Sequence, residues 1–139
     1  MFKAKRQLPD AIDALRRAIA LDPDSWSAHA ALATVLQQGG AREAAAQEAA
    51  EAERLRLAGA LEREAAAMTA VGIARLDAND AAGAAEQFRR AIAKVETYAP
   101  AHYQLGRALQ RLGQDMAARA AFARAQALNP SLMPPAEIR

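Results

Sequence analysis

Residues 99–130 read APAHYQLGRALQRLGQDMAARAAFARAQALNP, and the spacing within this stretch decides the fold. Leu105, Ala108, Leu109 and Leu112 fall at i, i+3, i+4 and i+7, so a 3.6-residue helix puts them on one face. Ala118, Ala121, Phe122 and Ala125 repeat the same offsets. Between the two runs, Gly113 can take the left-handed conformation that ends a helix, and Asp115 can cap the next one. Asn129-Pro130 stops the second helix, because the residue before proline is pushed out of the helical region. Neither helix hides its apolar stripe alone, so the stretch predicts an antiparallel pair. Gly106 and Ala118 allow the backbones to approach closely, and Phe122 fills the space between this pair and its neighbours.

The rest of the chain reads as copies of that pair. Met68-x2-Val71-Gly72-x2-Arg75 followed by Ala84-x3-Phe88 repeats it, with Gly72 to Gly106 and Phe88 to Phe122 each 34 residues apart. Upstream, His29-x2-Leu32-Ala33-x2-Leu36 places Ala33 where the glycine stands, and Gly39-Gly40 makes the turn. Ala45-x3-Ala49 comes next, without the aromatic. Ala11, Ala14, Leu15 and Ala18, closed by Asp22-Pro23, carry the offsets of a second helix that starts at Pro9. Phe2 stands where the first helix of that pair would hold an aromatic. Residues 2–5 therefore read as the last turn of a helix whose beginning is missing: either the chain is a fragment of a longer protein, the favoured reading, or its N-terminus has diverged to cover an exposed face.

These residue types and this period resemble the tetratricopeptide repeat, a helix–turn–helix unit of 34 residues. The resemblance covers a partial unit at 1–24, units at 26–59, 65–98 and 99–130, and leaves 131–139 as an extended tail around Pro134-Pro135. It implies an all-α fold, an α-solenoid of antiparallel helix pairs in a right-handed superhelix with about seven helices. The second unit lacks a closing proline, and five extra residues precede the third. Longer helices are expected there, from Arg42 to Leu57 and from Ala60 to Leu76, with a break near Gly59. Arg75 departs from the pattern, which has an aromatic or leucine in that place, and Glu96 stands where proline is usual.

Composition narrows the function classes. Hydrophobic residues make up 53% of the 139 but aromatics only 4%, so alanine supplies much of the apolar surface and favours close-packed helices. The net charge of +2 comes from a small excess of basic residues spread along the chain, with no basic stripe interleaved with aromatics. Nucleic acid is not an expected partner. Neither a membrane-length apolar run nor a signal-peptide core is present, so no membrane partner is expected and the default compartment is the cytoplasm. The absence of cysteine removes disulfides, thiol catalysis and thiolate metal sites.

Chemistry-bearing residues are few. His29 and His102 occupy the same place in two units, four residues before Ala33 and Gly106, which suits a packing role better than a shared ion. Asp77-Ala78-Asn79-Asp80 resembles the start of a calcium loop, but Ala82 and Phe88 stand where such a loop needs glycine and glutamate. A turn with an Asx helix cap explains it. Glu43, Glu48, Glu51 and Glu53 form a solvated helix face, and Glu51 can pair with Arg54. No nucleophile–base set assembles, so no catalytic, metal or cofactor site is expected.

The tetratricopeptide resemblance implies instead a concave groove, lined mainly by first helices, that holds a segment of a protein or peptide partner. Carried over position by position, the groove falls on Ala30, Thr34 and Gln37, on Thr69, Ile73 and Leu76, and on Tyr103, Arg107 and Gln110. Tyr103 and Arg107 are residue types that carry interface energy. Ile73 and Leu76 read either as the apolar floor of the groove or as core. Two alternatives remain: a self-associating scaffold that forms a homo-oligomer through exposed terminal helices, or a regulatory segment of a larger protein.

Overall fold

The computed structural model describes residues 2–138, with side chains from Gln7 onward. Among them the regular structure is all helical: α1 (Phe2–Leu21), α2 (Trp26–Gln38), α3 (Arg42–Asp77), α4 (Ala81–Lys94), α5 (Ala99–Arg111), α6 (Asp115–Leu128) and a 3-10 turn at Ala136–Ile138. The chain divides into two compact units, Met1–Gly59 and Ala60–Arg139.

Three turns repeat atom for atom. Gly40, Asn79 and Gly113 all take positive φ, at 82°, 65° and 75°. After each, the next amide returns to a carbonyl five residues back: Ala41 N to Leu36 O at 2.9 Å, Asp80 N to Arg75 O at 2.8 Å, and Gln114 N to Leu109 O at 2.9 Å. This closure satisfies carbonyls that a helix end otherwise leaves unpaired. The two histidines recur as well. His29 Nε2 lies 3.0 Å from Pro23 O and His102 Nε2 lies 2.7 Å from Glu96 O, each carbonyl six residues upstream.

The glycine–phenylalanine pairs form the centres of the two hairpins in the second unit. A methyl on Gly106 would lie 2.8 Å from Phe122 Cδ1 and Cε1, and one on Gly72 would lie 2.8 Å from Phe88 Cδ1. Each ring therefore occupies the space a Cβ would need. Phe88 and Phe122 are 0% and 1% exposed. Phe88 also packs with Ala108 of α5 and so joins successive hairpins, whereas Phe122 packs with Leu109, Ala118 and Ile138.

Several expectations give way to the structure. The break at Gly59 is absent: α3 is one helix of 36 residues. Its sequence from Arg54 to Ala67 is almost entirely strong helix formers, and one interior glycine costs only about 0.5–1 kcal/mol. Residues 2–5 likewise belong to the 20-residue α1, which runs through Pro9 without a turn, while the Phe2 side chain lies outside the described residues. Asp115 is the first residue of α6 rather than its cap, and Gln114 makes no side-chain capping bond. Asp80 does cap α4, accepting from Gly83 N at 2.9 Å. Finally, the tail is not simply extended, for Ile138 folds onto the α5–α6 cluster and is 5% exposed.

Candidate partner-binding groove

Hairpins of one design expose different faces, depending on whether the next helix in the chain covers them. In the second unit the face formed by the end of α3 and by α4 is covered by α5. Leu76, Ala84, Ala85 and Phe88 cluster with Ala108, and Ala91 clusters with Ala101. Arg111 fastens this packing by donating from Nη1 to Leu76 O at 2.7 Å, placing a cation at the end of α3, where helix carbonyls are unpaired.

The hairpin of α2 and the start of α3 has no such cover among the described residues. Ala33, Ala45, Ala46, Ala49 and Ala52 stand where the next hairpin has Gly72, Ala84, Ala85, Phe88 and Ala91. Ala85 and Phe88 are buried, but Ala46 and Ala49 are exposed. With a methyl at residue 33 and no ring at residue 49, the surface is concave. One hollow of about 350 Å³ is lined by Ala33, Thr34, Gln37, Ala45, Ala46 and Ala49. An adjoining one of about 270 Å³ extends between Trp26, Ala30, Ala52, Glu53 and Arg56. Arg56 Nε donates to Glu53 Oε2 at 2.9 Å, which holds the Glu53 carboxyl below its usual range. Trp26, 47% exposed, supplies a large apolar edge beside this charged pair.

The residues expected to form a groove therefore part company. Thr34 and Gln37 line the open hollow, where Thr34 Oγ1 donates to Ala30 O at 3.1 Å. Leu76 is 0% exposed and Thr69 4%, the latter donating to Ala65 O at 2.8 Å, so both are core. Ile73 packs against the same core. The reason is α5, which covers these positions within its own unit, whereas their equivalents in the α2–α3 hairpin are open. Tyr103 is half-buried, edge-on to Phe122 with ring centroids 5.2 Å apart. Arg107 donates to Gln104 Oε1 at 3.1 Å, and Gln110 is partly buried beside it on α5. Trp26, Ala49, Glu53 and Arg56 were not among the expected groove residues. The missing aromatic at Ala49 was the sequence feature that marks the place.

A part-buried ion pair joins α2 to α3. His29 Nδ1 lies 2.6 Å from Glu48 Oε2, while its Nε2 faces the Pro23 carbonyl. A carbonyl only accepts, so Nε2 carries a proton; with a carboxylate at Nδ1, the favoured form is the doubly protonated imidazolium. The hydrogen bond to Glu48 accordingly holds the His29 pKa above its ordinary 6.5, against the opposing effect of burial. A raised folded value means that this stabilisation is fully present below pH 6.5 and is lost as pH rises through the raised value. Urea midpoints tracked by the fluorescence of Trp26, the single tryptophan, are expected to fall between about pH 6 and about pH 8. The His29→Gln variant should show a flatter profile; an equal slope in both proteins would contradict the pairing.

No helix among the described residues is long and apolar enough to cross a membrane. The fold is a tandem set of tetratricopeptide-like hairpins. Neither a family model nor a curated protein matches the chain. Among solved structures, MamA is 23% identical with a TM-score of 0.47, the match covering 92% of this chain and 72% of MamA. YrrB, described as a TPR protein with an unusual peptide-binding site, is 19% identical with a TM-score of 0.45 over 90% of this chain and 62% of its own. PilF of Pseudomonas aeruginosa is 24% identical with a TM-score of 0.46, and this chain spans 57% of it.

Proposed function

We propose that this chain is a protein-interaction module whose α2–α3 groove holds a helical segment of a protein partner, without catalysis. One observation carries the reading. The Gly–Phe pair that fills the other two hairpins is replaced by Ala33 and Ala49, and an alanine-lined hollow in which Ala46 and Ala49 are exposed, with a Trp26 edge, is left in its place. Such a floor suits a helix because the equivalent face in the second unit receives a helix, α5, through alanine contacts. Small residues on both sides bring backbones close, and the flanking aromatic and arginine are types that concentrate binding energy.

A benzophenone side chain in place of Gln37, irradiated in the producing cells, tests this directly. A covalent adduct with a polypeptide is expected from residue 37 and not from the exposed Arg119 of α6, and equal labelling at both, or none at 37, would contradict it.

A further inference from the structure

The turn that leads out of a hairpin's second helix occurs three times with the same hydrogen bonds. Asp22 N, Val95 N and Asn129 N return to Ala18 O, Ala91 O and Ala125 O at 3.0, 3.0 and 2.8 Å. Ser25 N, Tyr98 N and Leu132 N then return to Asp22 O, Val95 O and Asn129 O at 3.2, 3.0 and 3.0 Å. After the first two turns a helix begins at once, α2 at Trp26 and α5 at Ala99. After the third, the equivalent residue is Met133, and the chain runs through Pro134-Pro135 into the 3-10 turn instead. The cause is local. Pro100 shows that one proline fits the first turn of such a helix, and Ala101 after it donates from its N to Tyr98 O at 3.2 Å. Pro135 stands in the place of Ala101, has no N–H to donate, and pushes Pro134 out of the helical region.

The face beyond that turn is covered all the same. The α5–α6 hairpin sets Ala118 and Phe122 where the preceding hairpin has Ala84 and Phe88, and all four are at most 1% exposed. In the preceding hairpin the cover is α5, through Ala108. On α5–α6 the tail takes that part. Ile138 shares a cluster with Leu109, Ala118, Ala121 and Phe122, and Gln126 of α6 donates from Nε2 to Met133 Sδ at 3.5 Å. Where a hairpin has no such cover among the described residues, the same place is open: Ala49, the counterpart of Phe122, is exposed.

We infer that residues 133–138 form a strap that takes the place of a helix on the α5–α6 face and keeps that face closed, with Ile138 as its plug. A helix begun at Met133 would put residue 138 in the place of Gln104, which bonds to Arg107 of its own helix and stays partly exposed. The 3-10 turn, closed by Ile138 N donating to Pro135 O at 3.1 Å, turns the side chain onto the Phe122 cluster instead. Strap and helix are therefore alternative occupants of one face, and the two prolines select the strap. Tyr103 packs against the same cluster, so the strap closes a place where the sequence pattern expects a groove. All of these residues belong to the second unit, and the strap is independent of the α2–α3 groove.

Hydrogen–deuterium exchange of the full chain, read by mass spectrometry, tests the strap through Ile138→Asp. Amides of α6 around Phe122 are expected to exchange roughly tenfold faster, while those of α4 around Phe88, which lie under α5, keep their protection. The opened face should also bind the dye anilinonaphthalene sulfonate. Ile138→Val, and Glu137→Ala at the exposed neighbouring residue, should leave both readings as they are in the parent. Helical circular dichroism checks that the variant is folded; if Ile138→Asp loses it, Ile138→Ala gives the same comparison. Unchanged exchange at Phe122, an equal acceleration at Phe88, or dye binding as strong in the parent as in the variant would overturn the inference.

Discussion

Phe122→Ala is expected to lower the unfolding free energy of the chain by about 3–5 kcal/mol, the range for emptying a fully buried aromatic site. The ring is 1% exposed and packs with Leu109, Ala118, Ala121 and Ile138, with Tyr103 edge-on beside it. Collapse around the vacancy is limited. The wall opposite the ring is the backbone of α5 at Gly106, which has no side chain to swing inward. Ile138 is anchored in the same cluster, so the tail should loosen together with the hairpin. Met116→Ala is the control, on the same helix but 87% exposed, and should stay within about 0.5 kcal/mol of the parent. Urea denaturation monitored by circular dichroism measures both. A loss below about 1 kcal/mol for Phe122→Ala would mean the ring is not the centre of its hairpin.

The period and the hairpins were legible because they are local. Gly113 at a left-handed turn, Asp80 as a cap and the apolar offsets of α5 and α6 depend on nearby residues alone. The Gly–Phe pairing was legible through its spacing, although the ring of Phe122 meets Gly106 of its own hairpin rather than filling a gap between hairpins. What the sequence hid was whether each repeated position is covered. Leu76 and Gln37 hold equivalent places, yet the first is core under α5 and the second lines an open hollow. No pattern within a unit distinguishes them, because coverage depends on the next helix along the chain. At Gly59 the choice between a break and a continuous helix rests on about 1 kcal/mol of propensity. Arg75 becomes intelligible on the same grounds. It takes the place of the buried Leu36 and Leu109, but is half-exposed and pairs with Asp80 at 3.5 Å. The 3-10 turn that buries Ile138 had no periodicity to betray it, being three residues long.

The α2–α3 hairpin shares the design of the other two, with its Gly–Phe pair replaced by Ala33 and Ala49, and the groove depends on that replacement. A double-mutant cycle on Ala33→Gly and Ala49→Phe tests it most directly. Alone, Ala49→Phe should be disfavoured, because the Ala33 methyl occupies the space that Phe88 and Phe122 find free at Gly72 and Gly106. Ala33→Gly alone should cost about 0.5–1 kcal/mol as a glycine in a helix interior. Together they should restore the pair and fill the hollow, giving a favourable coupling of about 1–3 kcal/mol in urea denaturation. Additive effects, within about 0.5 kcal/mol, would contradict the shared design.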